Sequence, residues 1–318
     1  MNYLMIILPK MLSFLLMISL GFLCARTGII RKEGMSTLSG FLLKLVLPCL
    51  IISLMHERGT GLQDVLAFRC FVTGQVLVYA VLALAGLASA KLFRFPRKTF
   101  NVHAACMMCD NYAFVVIPII MALYGPEDGQ AYIPIGSAVD TILVWTLGLS
   151  LFTLCLQKDG GLWGAVKALL SKFTHQIMLC TFAMLFLNTF SIPIPGPVLE
   201  TASSIGSISA SLGLLYVGAN ICFMDKGNMK GKASVAAIAG VKLLLVPFLV
   251  YLTASRFLSE TEAVILMLIA GAPSMTTSCM IANQYGLDED YAAAAVFVTT
   301  MCCLFTIPIL FLLIGAVR

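Results

Sequence analysis

Lys44, Asp110, Asp140 and Lys242 are charged side chains set well inside apolar stretches of this chain. A charge at the centre of a bilayer-spanning helix costs roughly 2.5–3.5 kcal/mol on insertion scales, so such a residue marks an ion, proton or substrate path by default. Asp110, Asp140 and Lys242 each fall about ten residues, or roughly 15 Å, from the start of their stretch, which sets all three near mid-membrane. A carboxylate at that depth can cycle a proton or hold a cation. Asp110, Asp140 and Lys242 are therefore expected to be ion-coupling groups; the plainer alternative is a permanent Asp–Lys pair that only holds helices together. Lys44 lies about seven residues from a helix start, near enough for its stem to carry the ammonium to the headgroups. Lys10 and His103, nearer helix ends, are read the same way, and His175 as interfacial.

The sequence around Asp110 is interrupted in a way that recurs half a chain later. The first copy reads Cys109-Asp110-Asn111-Tyr112, then Pro118, then Leu123-Tyr124-Gly125 and the acidic turn Pro126-Glu127-Asp128. The second reads Gly271-Ala272-Pro273-Ser274, then Gln284-Tyr285-Gly286 and Leu287-Asp288-Glu289-Asp290. Paired helix breaks in corresponding halves point to a transporter's binding site. At the first, freed carbonyls beside Asp110 and Asn111 could hold a cation or a proton. At the second, Pro273 removes a backbone donor, so carbonyls up to Ala272 lose partners. A half-helix starting near Ser274 would then offer free N–H groups, with the hydroxyls of Ser274, Thr276 and Thr277 beside them, a setting that suits a carboxylate. An ordinary proline kink is the competing reading. Pro48 is a third candidate, read as a kink lining the path.

Such groups must be positioned by membrane helices. Sixty per cent of the 318 residues are hydrophobic and 11% are charged, and the mean hydropathy is +0.99. No soluble fold hides that much apolar surface. Ten apolar stretches near the membrane-spanning length are expected at 4–25, 37–55, 65–90, 100–123, 131–156, 174–191, 198–223, 233–255, 261–284 and 291–315, and alternating barrel strands are absent. The fold class expected is an all-α integral membrane protein. Residues 4–25 are read as a retained span rather than a signal peptide. The cysteines, Cys106 and Cys109 included, are read as reduced packing residues, and small-residue runs such as Ala292–Ala295 as close helix contacts.

Lysine and arginine crowd the odd-numbered loops (Arg26, Arg31, Lys32, Lys91, Arg94, Arg97, Lys98, Lys158, Lys167, Lys172, Lys226, Lys230, Lys232). Both termini should therefore lie outside the cytoplasm of a plasma or inner membrane. The net charge of +5 is this asymmetry, with no nucleic-acid partner implied. Five spans per half make the repeat inverted: residues 1–157, a cytoplasmic linker over 158–172, and residues 173–318. No His-Glu-x-x-His or Ser-His couple suggests an intramembrane enzyme, and nothing asks for a cofactor.

These stretches resemble the auxin efflux carrier family. The likeness rests on Leu47-Pro48, on Asn111 through Ile117-Pro118 to Leu123-Tyr124-Gly125, on Trp145-Thr146-Leu147-Gly148 and Gly218-Ala219-Asn220, and on Ala272-Pro273 through Asn283-Gln284-Tyr285-Gly286 to Ile307-Pro308. The short middle loop is similar to bacterial members. The resemblance implies ten spans in two inverted five-helix repeats with broken, crossing helices 4 and 9, a fold shared with bile acid–sodium symporters. It also implies a scaffold of spans 1, 2, 6 and 7, a mobile bundle of spans 3–5 and 8–10 that moves as an elevator, frequently a homodimer, and organic-anion substrates. Carried over, Asn111, Pro118 and Pro273 would form the crossover that binds substrate. Val116 stands where the family often has glycine, and no proline lies near Ser211. Asp110 and Asp140 are not general to the motif, so Asp110 either takes up a proton or faces something other than a simple anion. The expectation is a carrier of small carboxylates with proton or sodium coupling; a ligand sensor is the competing class.

Overall fold

The computed structural model describes residues 3–59, 61–125, 128–153, 176–223 and 238–317. The linker 158–172, the basic residues at 226, 230 and 232, Glu127 and His175 lie outside the described residues, as does the side chain of Lys10. The first half contains α1 (Tyr3–Arg26), α2 (Met35–Phe41), α3 (Leu47–Arg58), α4 (Leu62–Ala67), α5 (Arg69–Leu92), α6 (Arg97–Met108), α7 (Ile117–Leu123), α8 (Tyr132–Leu143) and α9 (Leu149–Thr153). The second contains α10 (Gln176–Thr189), α11 (Gly196–Ser207), α12 (Ser209–Phe223), α13 (Val246–Ala254), α14 (Glu260–Ala270), α15 (Ser278–Gln284) and α16 (Glu289–Val317). The fold is all-α, and the described residues contain no strand.

Among the described residues five continuous helical stretches are long and apolar enough to cross a membrane: Lys32–Glu57, Arg69–Leu92, Gly129–Thr153, Gly196–Phe223 and Glu289–Gly315. Leu12–Arg26, Gln176–Thr189 and Ile238–Ala254 are shorter apolar helices. Where the sequence places the two interruptions, each apolar stretch is instead two short helices, α6 with α7 and α14 with α15.

Proline explains much of the local irregularity. Pro48, Pro118 and Pro247 each stand two residues beyond a five-residue π turn: Leu42–Val46, Tyr112–Val116 and Val241–Leu245. Proline lacks an N–H and its ring presses on the carbonyl four residues back. A widened turn at that place absorbs both effects without ending the helix. Pro48 accordingly leaves its span continuous, as expected of a kink. A fourth π turn, Val144–Gly148, has no proline behind it.

Packing follows from small residues and apolar faces. α1 lies along α12, and α3 against α10 and α11. A β-carbon on Gly218 would overlap the backbone of Ile18, so that helix pair closes only because the position is glycine. Elsewhere α5 packs on α6 and α14, α13 on α14, α15 on α16, and α6 on α9. His103 does not snorkel. It is fully buried, with its two ring nitrogens 2.7 Å from the hydroxyls of Ser89 and Tyr291. Lys44 is exposed, as a long stem reaching outward requires. Cys106 and Cys109 are buried free thiols.

Candidate functional site

The two helix breaks meet. Beyond α6 the backbone turns extended at Cys109 (φ −72°, ψ 122°), and Asp110 pairs antiparallel with Ser274. The Asn111 N–H donates to the Pro273 carbonyl (2.9 Å), and the Met275 N–H to the Cys109 carbonyl (3.2 Å). This pairing answers a physical demand: backbone freed from a helix inside a membrane has no water to bond and must find protein partners.

Side chains complete the seal. The Ser274 N–H donates to Thr299 Oγ1 (3.0 Å), and the Ser274 hydroxyl to the Cys106 carbonyl (2.8 Å). Lys242 is fully buried; its ammonium donates to the Cys106 and Cys109 carbonyls at 2.9 and 2.8 Å. Its hydrogen-bond acceptors are thus carbonyls at the C-terminal end of α6, where a cation also meets the negative end of the helix dipole. Gly148 leaves the room that the Cys109 sulfur fills.

Beside this junction lies a cavity of about 80 Å³, room for several waters or a small solute. Its polar lining comprises Asp110, Asn111, Ser137, Asp140, Thr141, Thr276 and Thr277, with Leu47, Tyr112, Trp145 and Met275 among the apolar walls. Asp110, Asn111, Thr276 and Thr277 are buried. Both carboxylate oxygens of Asp110, the Asn111 amide nitrogen and the Thr277 hydroxyl make no hydrogen bond of normal geometry among the described residues, although Tyr79, Asp140 and the Tyr112 N–H lie close to the Asp110 carboxylate. Asp140 is partly buried and accepts from the Tyr79 hydroxyl of α5. Buried polar atoms left without partners are rare in folded proteins and ask for a ligand, an ion or water.

Of the residues singled out from sequence, the structure brings Asp110, Asn111, Asp140, Thr276 and Thr277 to the cavity wall. Ala272, Pro273, Ser274 and Lys242 stand behind it at the junction, outside that lining, and Pro118 is the second residue of α7, also outside the lining. One local expectation shifts. The second half-helix begins at Ser278, four residues beyond Ser274. The N–H groups of Ser274 and Met275 are already used by Thr299 and Cys109, so these two cannot serve a ligand, whereas the side chains of Asn111 and Thr277 can. Sequence reasoning missed Tyr79 and Thr299. Tyr79 is an isolated hydroxyl in its apolar stretch and Thr299 belongs to an adjacent Thr299-Thr300 pair, the signal by which each could have been found.

The sequence model of the family described as "Membrane transport protein" matches residues 6–159 and 166–311. A protein of Methanothermobacter thermautotrophicus (strain Delta H), named "Uncharacterized transporter", is 24% identical over 312 residues, which cover 94% of this chain and 95% of that one. A protein of Rhizobium meliloti (strain 1021), named "Putative malonate transporter", is 25% identical over 316 residues, covering 95% of this chain and 94% of its own.

Proposed function

The chain belongs to the membrane transport protein family, and on that premise we propose that it carries small organic carboxylates across the plasma or inner membrane by alternating access, at the crossing of the two helix breaks. This is the family that the paired breaks resemble, and it speaks for a transporter rather than an enzyme. The observation that carries the reading is the cavity beside the Asp110–Ser274 bridge, with the unpartnered Asp110, Asn111 and Thr277 atoms in its wall. Discontinuous helices placed so are the usual seat of substrate in secondary transporters.

A malonate-type substrate, suggested by the name of the Rhizobium relative, meets amide and hydroxyl donors at Asn111 and Thr277. It also meets the carboxylate of Asp110. Two anions in one buried cavity repel strongly, so Asp110 takes a proton as substrate enters, and the cycle is proton-linked. The alternative is a sodium symporter, favoured by the oxygen-rich lining that Asp110, Asp140, Thr276 and Thr277 form. In either case the helices α1, α2, α3, α10, α11 and α12 act as scaffold. The remainder slides as an elevator, in inverted repeats with both termini outside the cytoplasm, as a homodimer.

The test is flux of labelled mono- and dicarboxylates into proteoliposomes under imposed pH, sodium and voltage gradients, with wild type beside Asp110→Asn. Saturable flux that loses only its dependence on the pH gradient in the variant supports the reading. Ligand binding without flux under any gradient would instead make the protein a sensor.

A further inference from the structure

Lys242 sits where transporters with broken helices hold a coupling cation. In such folds the carbonyls at an unwound turn and at a half-helix C-terminus coordinate the ion. Here the carbonyls of Cys106 and Cys109, at the end of α6, converge instead on the Lys242 ammonium at 2.9 and 2.8 Å. Three further observations single out this place. The lysine is fully buried, a costly position for a charge that only a strong local demand offsets. The widened turn Val241–Leu245 that precedes Pro247 carries it, so a feature of the backbone aims it inward. Its charge also acts on Asp110, the carboxylate next to Cys109.

We propose that the Lys242 ammonium is a tethered substitute for a coupling cation: it permanently occupies a monovalent-cation site formed by the Cys106 and Cys109 carbonyls. The protein therefore needs no sodium at this break, and removing the side chain uncovers the site. The carbonyl geometry suits a bare sodium ion or a small primary ammonium, because both replace the hydrogen-bonding or coordinating head of the lysine. A bulky quaternary ammonium does neither. The inference rests on the reading of the crossing as the transport site, and it narrows the coupling to protons or voltage.

Thermal unfolding in lipid nanodiscs tests it without requiring flux, so a failure of the transport reading remains separable. Wild type, Lys242→Ala and Lys242→Met are melted in sodium chloride, methylammonium chloride and choline chloride at equal ionic strength. Wild type is expected to melt at one temperature in all three. Lys242→Ala is expected to melt lower in choline and to recover saturably with sodium or methylammonium, by roughly 5 °C at a hundredfold saturation. Lys242→Met, which refills the space without charge, gains nothing from any cation. An alanine variant indifferent to all three salts overturns the proposal. So does a wild type that gains stability from sodium over choline. If the alanine variant folds in no salt, the wild-type comparison alone decides in the same sense.

Discussion

Asp110 and Ser274 face each other in an antiparallel bridge, with the Asn111 N–H on the Pro273 carbonyl at 2.9 Å and the Met275 N–H on the Cys109 carbonyl at 3.2 Å. Two interruptions that look separate along the chain are one structure in space. Each break supplies the hydrogen-bond partners the other lost, so neither can shift without the other. A carrier that must move its site as a unit through a lipid environment gains from that mutual dependence, because a half-satisfied break inside a bilayer is expensive.

The supports of the bridge are unequal, and that inequality is measurable. The Cys106 carbonyl accepts from both Ser274 and Lys242, so Ser274→Ala leaves it one donor and costs about 1 kcal/mol. The Ser274 N–H rests on Thr299 Oγ1. Thr299→Val strands that buried donor and costs about 1–3 kcal/mol. Melting temperatures in detergent should rank wild type above Ser274→Ala above Thr299→Val; the reverse order would mean that the N–H finds another partner.

Tyr79 and Asp140 form the second anchor of the cavity. Removing the hydroxyl leaves a partly buried carboxylate without that donor, so Tyr79→Phe should cost about 1–2 kcal/mol, below the full value for a charged acceptor because Asp140 is partly exposed to the cavity. In the Asp140→Asn background the same change should cost measurably less, since the charge that strengthened the bond is gone. A double-mutant cycle on chemical unfolding reads the coupling. Coupling energy indistinguishable from zero would remove Tyr79 from the account.

Thr277 and Asn111 carry polar atoms that no described residue satisfies. For such atoms the folded protein gives up nothing when they are removed, and substrate loses a donor. Thr277→Val should therefore keep or raise the melting temperature while weakening substrate binding by roughly tenfold, the effect of about 1.4 kcal/mol. Asn111→Ala should weaken binding likewise, with some loss of stability because truncating a buried side chain leaves a cavity. A variant that loses stability with unchanged KM would instead make these atoms part of the fold.

Much of this arrangement is legible in sequence, and the limits have physical causes. Pro273 and the Asp110-Asn111 pair are visible because a proline and a charge are both out of place in an apolar helix. Their pairing is not, since a bridge between distant residues imposes no local pattern. The start of the second half-helix is misplaced because Ser274 and Met275 spend their N–H groups on tertiary partners, so the chain passes through a turn at residues 276–277 before the helix begins at Ser278. Lys242 reads as a partner for a carboxylate, but its acceptors are carbonyls, and no spacing rule reports a carbonyl that has lost its helix. His103 looks interfacial by position in its stretch; its burial depends on Tyr291, supplied by the far end of the chain.

Glu289 at the start of α16 illustrates the same limit and leads to a test of movement. Its carboxylate accepts from Tyr216 (2.8 Å) and Asn220 of α12 and from Asn283 of α15 (2.7 Å), while Ser39 of α2 donates to the Asn283 side chain (3.2 Å). If α2 and α12 belong to a fixed scaffold and α15 and α16 to the sliding part, this network bridges the two and must break in every stroke. Glu289→Gln keeps the shape, removes the charge and turns an amide donor toward other donors, so the state with these contacts loses about 1–3 kcal/mol. That is enough to shift its population several-fold to a hundredfold. A disulfide between cysteines placed at Ser39 and Asn220 is blind to the change, because both lie on the proposed scaffold. One between Ser39→Cys and Gln284→Cys reports it. In Glu289→Gln the second cross-link should form more slowly by the same factor and the first at an unchanged rate. Equal rates for both pairs would show that the network holds nothing that moves.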